Sequence, residues 1–393
     1  MYKNFKRAAA LLLALVLAAS LCACGDSGGE TQQSPSQTPS TSPSSPPESP
    51  SPSGEAESPA PDGFRLPQES AVRNEKFREK EEFADFVSRA ESKFLIPGLN
   101  QAMTPQGITY SDATGLAYIT SYAITDTPSV ILGVNLATGE SAAEYFLYNQ
   151  DGTPFTSHVG GIAVAGDKMY VSAKLDSDGS YSIAVLSMDN LPTEGSHDIT
   201  VEETIALPVS PSFLNYSQGM LWIGNFYHPG GDYNLSRGMN FTTTSGDGAE
   251  YGCYILGFDL SQEGAALAAP SGQKYPVPDC VLVAPDKIQG VVCLADRVIL
   301  SQSYGRTKNS ALLSYNLALG EEYDTEINVS GTQVPAYMLD SKRQNESLTA
   351  MPMTEGLCLS PDGVLVLFES GSSRYSDGKY RTDHVWELKP AAR

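Results

Sequence analysis

The chain has 393 residues, 41% of them hydrophobic and only 18% charged, with a formal net charge of −21. That length fits one large domain or two ordinary ones, with enough apolar residues for a substantial core. With 25 Lys and Arg against 46 Asp and Glu, it lacks the basic face that phosphate backbones require, so nucleic acid is excluded as an expected partner.

Residues 1–23 read as an export signal. Lys3, Lys6 and Arg7 precede an apolar run over residues 8–21, too short for a standard membrane span. Leu21-Cys22-Ala23-Cys24 follows and resembles the lipobox of bacterial lipoproteins. The resemblance implies cleavage before Cys24 and diacylation of its thiol, with the lipid bilayer as a partner; two acyl chains suffice for stable anchoring. An ordinary cleaved signal without lipidation is the alternative.

Residues 24–62 are dominated by Ser, Pro, Thr, Gly and Glu and carry no large apolar residue. Such a segment cannot bury enough surface to fold and reads as a disordered tether. Drawn out at about 3.1 Å per residue it reaches on the order of 100 Å. Anchor and tether predict a lipid-anchored protein on the extracytoplasmic face of the cell membrane. Gly25 after Cys24 shows no inner-membrane retention signal, so the reading leans to a Gram-positive cell surface.

Residues 63–92 form the predicted helical segment. Within it and just beyond, Phe83, Phe86, Val87, Ala90 and Phe94 recur at helical spacing between Lys, Arg and Glu. The pattern predicts an amphipathic helix over 68–92 that covers the side or bottom of the main domain.

Residues 93–393 change character and repeat. Each copy is an apolar strand, a tight turn and a second apolar strand. The first copy runs Pro105-Gln106-Gly107-Ile108 and onward to Tyr122, and the second Ser157-His158-Val159-Gly160-Gly161 to Ser172. The third begins Pro211-Ser212-Phe213, the fourth Ile288-Gln289-Gly290 and the fifth Thr354-Glu355-Gly356. Third strands are predicted at 130–136, 182–188, 253–260, 311–317 and 384–388, and the clearest fourth strands at 143–148, 201–207 and 280–283. Four antiparallel strands per unit is the pattern of a propeller blade. The fifth unit runs out after its third strand. Residues 93–96 are the expected replacement for its outer strand, which closes the ring and leaves no open edge there. The expected fold is therefore all-β: a five-bladed β-propeller closed by an N-terminal strand, or six-bladed if the long third or fourth unit holds another blade. The repeat grammar resembles secreted propellers of the gluconolactonase, strictosidine synthase-like and NHL kind.

In such a blade the start of the inner strand and the end of the second strand share one face. The expected ligand-binding residues follow. Gln106, His158, Gln289 and Glu355 come just before inner strands, and Tyr122, Lys174, Tyr227, His228, Tyr304, Arg306, Arg374 and Tyr375 just after second strands. The longest loop, 228–251, adds Asp232, Tyr233, Arg237 and Asn240. Arg grips carboxylate or phosphate in a two-pronged geometry, and Tyr offers a flat apolar face with a polar tip. The resemblance to gluconolactonase-like propellers implies a channel metal held by a Glu such as Glu355. The matching positions Gln106, Gly160, Ser212 and Gln289 depart from that pattern, so no cofactor is expected, a channel Ca2+ being the alternative. Asp176-Ser177-Asp178-Gly179 starts like a calcium loop but lacks the downstream Glu, and reads as a hairpin turn. Cys253 and Cys280 are a candidate pair, while Cys293 and Cys358 read as buried fillers.

The function read from these residues is binding of an envelope ligand (a glycan, a peptide or a partner protein) on that face. The alternative is a hydrolase or lyase acting on a glycan or lactone, with Glu369 or Asp383 as the second carboxylate that glycoside hydrolysis needs. A scaffold for a membrane complex is a third reading.

Overall fold

A computed structural model describes residues 63–124, 127–173, 181–231, 233, 235–236 and 238–389. The signal segment, Cys24 and the tether lie outside the described residues, as do Lys174, the 176–179 turn, Asp232 and Arg237.

Five antiparallel sheets stand around an axis as a five-bladed propeller. The inner strands are Thr104–Ser111, Ile162–Ala165, Phe213–Ser217, Ile288–Cys293 and Thr354–Leu359, for blades 1 to 5 in order. Each inner strand touches its two neighbours, and the fifth touches the first. In blade 5 the outermost strand is Ala90–Leu95, paired antiparallel with His384–Leu388. The N-terminal strand thus closes the ring as the sequence predicts.

The glycine that recurs in the repeat sits where the inner strands crowd together. A Cβ on Gly107 would lie 2.8 Å from the Gly161 backbone, one on Gly161 2.2 Å from Leu214 N, one on Gly290 2.9 Å from Glu355 O, and one on Gly356 2.9 Å from Ile108 N. Each contact is with the next blade around the ring. No larger residue fits at these positions.

Blade strands are buried on both faces, so they read as continuous apolar runs rather than alternating ones. Val364–Phe368 is buried at every position. Successive side chains point into opposite blade interfaces: Leu221 and Ile223 meet blade 2, whereas Trp222 meets blade 4. The core is accordingly five separate apolar wedges, one for each junction between blades.

Two additions lie outside the repeat. Gly195–Thr200 joins the outer edge of blade 1 in parallel with Ser141–Tyr148. The hairpin Thr325–Val329 and Thr332–Met338 joins the outer edge of blade 3, parallel to Cys280–Ala284. Their long connections explain why the units looked uneven in length, and no sixth blade is present among the described residues.

The helical segment is shorter than its periodicity suggests. It comprises two 3-10 turns, Lys76–Glu79 and Glu81–Phe83, and one six-residue α-helix, Ala84–Arg89. Phe77 and Phe86 seat their rings on Trp386 at 5.7 and 5.6 Å, each contact worth about 0.5–1.5 kcal/mol beyond area burial. Phe94, counted on the helical face, instead belongs to the closing strand. Residues 63–75 are a strap, not a helix, because the domain supplies other partners for the backbone. Glu144 accepts from Arg65 N and Leu66 N at 2.6 and 3.0 Å. Gln68 bridges Leu95 O and Gly139 O at 2.6 and 2.9 Å, and Asp383 accepts from Ala71 N and Val72 N, both at 2.8 Å. The strap crosses the seam between blades 5 and 1.

Cys253 and Cys280 do not pair. They lie on adjacent strands, but the register sets Cys253 opposite Ala284 and Cys280 opposite Gly257. All four described cysteines are free and buried.

Candidate functional site

The mouth of the axial channel is built by bulges. In blades 1, 4 and 5 the inner strand slips register against its neighbour between Pro105 and Ile108, between Ile288 and Gly290, and between Thr354 and Leu357. A bulge leaves a residue unpaired and re-aims its side chain. The residues so released are Gln106, Gln289 and Glu355. The approaches to four inner strands also pass through left-handed backbone at Ala102, Val159, Lys287 and Met353, which non-glycine residues adopt only when the surroundings enforce it. Val159 is β-branched, and it fixes the position of His158 beside it.

These side chains form one hydrogen-bonded chain across the mouth. Gln106 Oε1 lies 2.6 Å from His158 Nε2, and Gln106 Nε2 donates to Glu369 Oε2 at 2.9 Å. Glu355 lies next in the row, close enough to Glu369 for each carboxyl to shift the other's titration, and Gln289 Nε2 reaches Glu355 Oε1 at 3.5 Å. Burial and the adjacent Glu369 charge raise the Glu355 pKa well above the carboxylate range. Burial also lifts Glu369, to about 7, against hydrogen bonds from Tyr375, Glu355 and Gln106 and the charge of Arg374. Two carboxyls this close share a proton near neutrality.

Arg374 stands beside the pair. Its Nη1 donates to Tyr122 Oη at 3.0 Å and to Thr104 Oγ1 at 3.4 Å. Its guanidinium lies 5.7 and 5.3 Å from the ring centroids of Tyr122 and Tyr375. The His158 ring packs 4.5 Å from Tyr122. Desolvation first, then the Arg374 charge, push its pKa down to about 4, so the imidazole is neutral at pH 7. His158 remains exposed to solvent at the mouth.

Across the mouth, His228 stacks on Tyr304 at 4.3 Å, and Phe226 lies between Tyr304 and Tyr233 at 6.3 and 5.0 Å. Among the described residues three large apolar side chains are exposed, and two of them, Ile124 at 72% and Tyr233 at 46%, lie on mouth-side loops.

Below the mouth the channel is closed. Asn215 of blade 3 donates across the axis to Leu357 O of blade 5 at 2.9 Å, and Ser217 holds Asn215 Oδ1 at 2.6 Å. Polar groups thus bridge the axis below the mouth.

The structure brings together Gln106, His158, Glu355, Gln289, Tyr122, Arg374 and Tyr375, and sets His228 and Tyr304 against each other at the blade 3 to 4 junction. Tyr227 is half-buried beneath them, its ring filling the space beside Gly252. Arg306 is not a free cation: its Nη1 bridges both Asp377 oxygens at 3.0 Å, over the Tyr375 ring. Glu369 joins the site, whereas Asp383 is committed to the strap. The signal for Glu369 was its place at the exit of a second strand, where the bulge in the partner strand turns Glu355 towards it.

No protein-family model matches this chain, and no curated protein does. Among solved structures it is similar to a glucose dehydrogenase, at 12% identity, covering 77% of this chain and 99% of that one, with a TM-score of 0.37. It is similar to the GH43_1 enzyme of Xanthomonas citri complexed with xylose, at 15% identity over 78% and 92% of the two chains, TM-score 0.40. BamB from Moraxella catarrhalis is similar at 13% identity over 84% and 95%, TM-score 0.33. Likenesses this distant leave the chemistry of the mouth to be argued from its own residues.

Proposed function

We propose that this is a lipid-anchored, extracytoplasmic propeller that binds a neutral envelope glycan at the mouth of its channel. The observation that carries the reading is the chain His158–Gln106–Glu369–Glu355–Gln289 beside Arg374. A carboxyl pair sharing one proton has a charge of −1, and Arg374 balances it. The mouth is then neutral but dense in both donors and acceptors, which suits vicinal hydroxyls rather than an anion or a cation. Tyr122 and His158 on one side, and Tyr304, His228 and Tyr233 on the other, offer the flat apolar faces that sugar rings stack against. Membrane attachment rests on the lipobox-like Leu21-Cys22-Ala23-Cys24 and the tether that follows.

The hydrolytic alternative is not favoured. Glycosidase carboxyl pairs stand about 5–5.5 Å apart for retention and about 6.5–9.5 Å for inversion. Here Glu369 Oε2 is already taken by Gln106 Nε2 at 2.9 Å and Glu355 Oε1 faces Gln289 Nε2 at 3.5 Å, so neither carboxyl stands free towards a glycosidic oxygen or a water.

The test is a thermal-shift panel of neutral, acidic and amino-sugar oligosaccharides on the full chain, with and without Ca2+. The reading expects a neutral oligosaccharide to raise Tm without Ca2+, and Arg374→Ala to abolish the shift. A panel in which only charged ligands act, or none does, contradicts it.

A further inference from the structure

A second constellation lies at the seam, away from the mouth. Glu75 comes from the strap, and Asp383 and His384 from the start of the strand that receives the N-terminal closing strand. His384 Nδ1, Asp383 Oδ1 and Glu75 Oε1 supply one imidazole and two carboxylate ligand atoms, with the donors of all three residues within 4.8 Å of one another. Nδ1 is 2.8 Å from Asp383 Oδ1 and 3.7 Å from Glu75 Oε1. These distances bracket the donor–donor edge of about 3.3 Å that bonds of about 2.0–2.1 Å produce at tetrahedral angles.

Two further observations point to an ion. Nδ1 is buried, yet no acceptor is aligned with it for a hydrogen bond, despite the nearness of Asp383. The carboxylates are also held from behind as metal ligands are. Asp383 Oδ2 accepts from Ser70 Oγ, Ala71 N and Val72 N at 3.0, 2.8 and 2.8 Å, leaving Oδ1 to face the imidazole. Glu75 Oε2 accepts from Arg78 Nε at 2.6 Å, and Thr382 Oγ1 donates at 2.7 Å to Oε1, the oxygen that faces the imidazole.

We propose that Glu75, Asp383 and His384 form a structural site for a divalent transition metal of the zinc class, which clamps the strap to the last blade where the ring closes. Imidazole with carboxylate oxygen is a donor set that zinc accepts, and a fourth position is left for water. The ligands come from segments more than 300 residues apart in sequence, so binding stabilises the closed ring at the point where the N-terminal segment enters the fold.

The experiment strips the full chain with chelator, adds Zn2+, removes excess by gel filtration, and measures bound metal and Tm. One retained zinc and a raised Tm are expected, both lost in Glu75→Gln and His384→Gln and both kept in His197→Gln, whose imidazole bonds Glu194 O elsewhere. If His384→Gln does not fold, Glu75→Gln on the strap decides. No retained zinc, or zinc retained equally by Glu75→Gln, overturns the proposal.

Discussion

Gln106 Nε2 donates to Glu369 Oε2 at 2.9 Å, and with the Arg374–Tyr122 bond it joins the first blade to the last at the mouth of the channel. Its other amide atom meets His158 of blade 2 at 2.6 Å. One side chain therefore spans three blades, and the geometry of the site depends on ring closure. Residues from the start and the end of the chain converge there because a propeller brings its termini together.

The carboxyl pair predicts a pH dependence of stability. The Glu369 pKa is raised from 4.5 to about 7 in the fold, and Glu355 is raised with it. Protonated carboxyls are thus favoured by the native state. This contribution is fully present below about pH 4.5 and is lost as pH rises through about 7. Differential scanning fluorimetry should show Tm falling over that window more steeply in the wild type than in Glu369→Gln, which removes one of the two titrating carboxyls and leaves Glu355. Parallel profiles would count against a shared proton.

Gly161→Ala tests the crowding of the inner strands. A Cβ there would stand 2.2 Å from Leu214 N, a backbone atom that cannot swing away. Overpacking costs of about 1–3 kcal/mol or more are expected, seen as a lower urea midpoint. Unchanged stability would show that the blades can separate at the axis.

Phe86→Ala tests the anchoring of the short helix. Phe86 is fully buried against Phe368 and Trp386 at 6.1 and 5.6 Å. Its removal should cost about 3–5 kcal/mol, measured by urea denaturation. A loss below about 1 kcal/mol would mean that the helix only rests on the blades.

The blades were legible because four of the five repeats carry a glycine where inner strands collide, at Gly107, Gly161, Gly290 and Gly356. The residue before that glycine is the one aimed at the mouth, which is why Gln106, Gln289 and Glu355 could be named from sequence. The strap was not legible. The helical spacing of Phe83 and Phe86 just after it is real, but residues 63–75 bond instead to Glu144, Gly139 and Asp383, partners that no local window contains. The parallel strands at 195–200 and 332–338 were also missed, as each is inserted between the third and fourth strands of one blade and pairs with the blade before it. The nearness of Glu355 to Glu369 depends on a bulge, which hydrophobic periodicity does not encode.

The central claim is that Arg374 and the carboxyl pair bind a neutral sugar. Isothermal titration of the full chain with the oligosaccharide that gives the largest thermal shift, beside Arg374→Lys and Glu355→Gln, tests it most directly. The account predicts saturable one-to-one binding, weakened at least about tenfold, or about 1.4 kcal/mol, in each variant while folding is preserved. Lys cannot lie flat between Tyr122 and Tyr375 and also donate to Tyr122 Oη and Thr104 Oγ1 as Arg374 does. Equal affinity in all three proteins would contradict it.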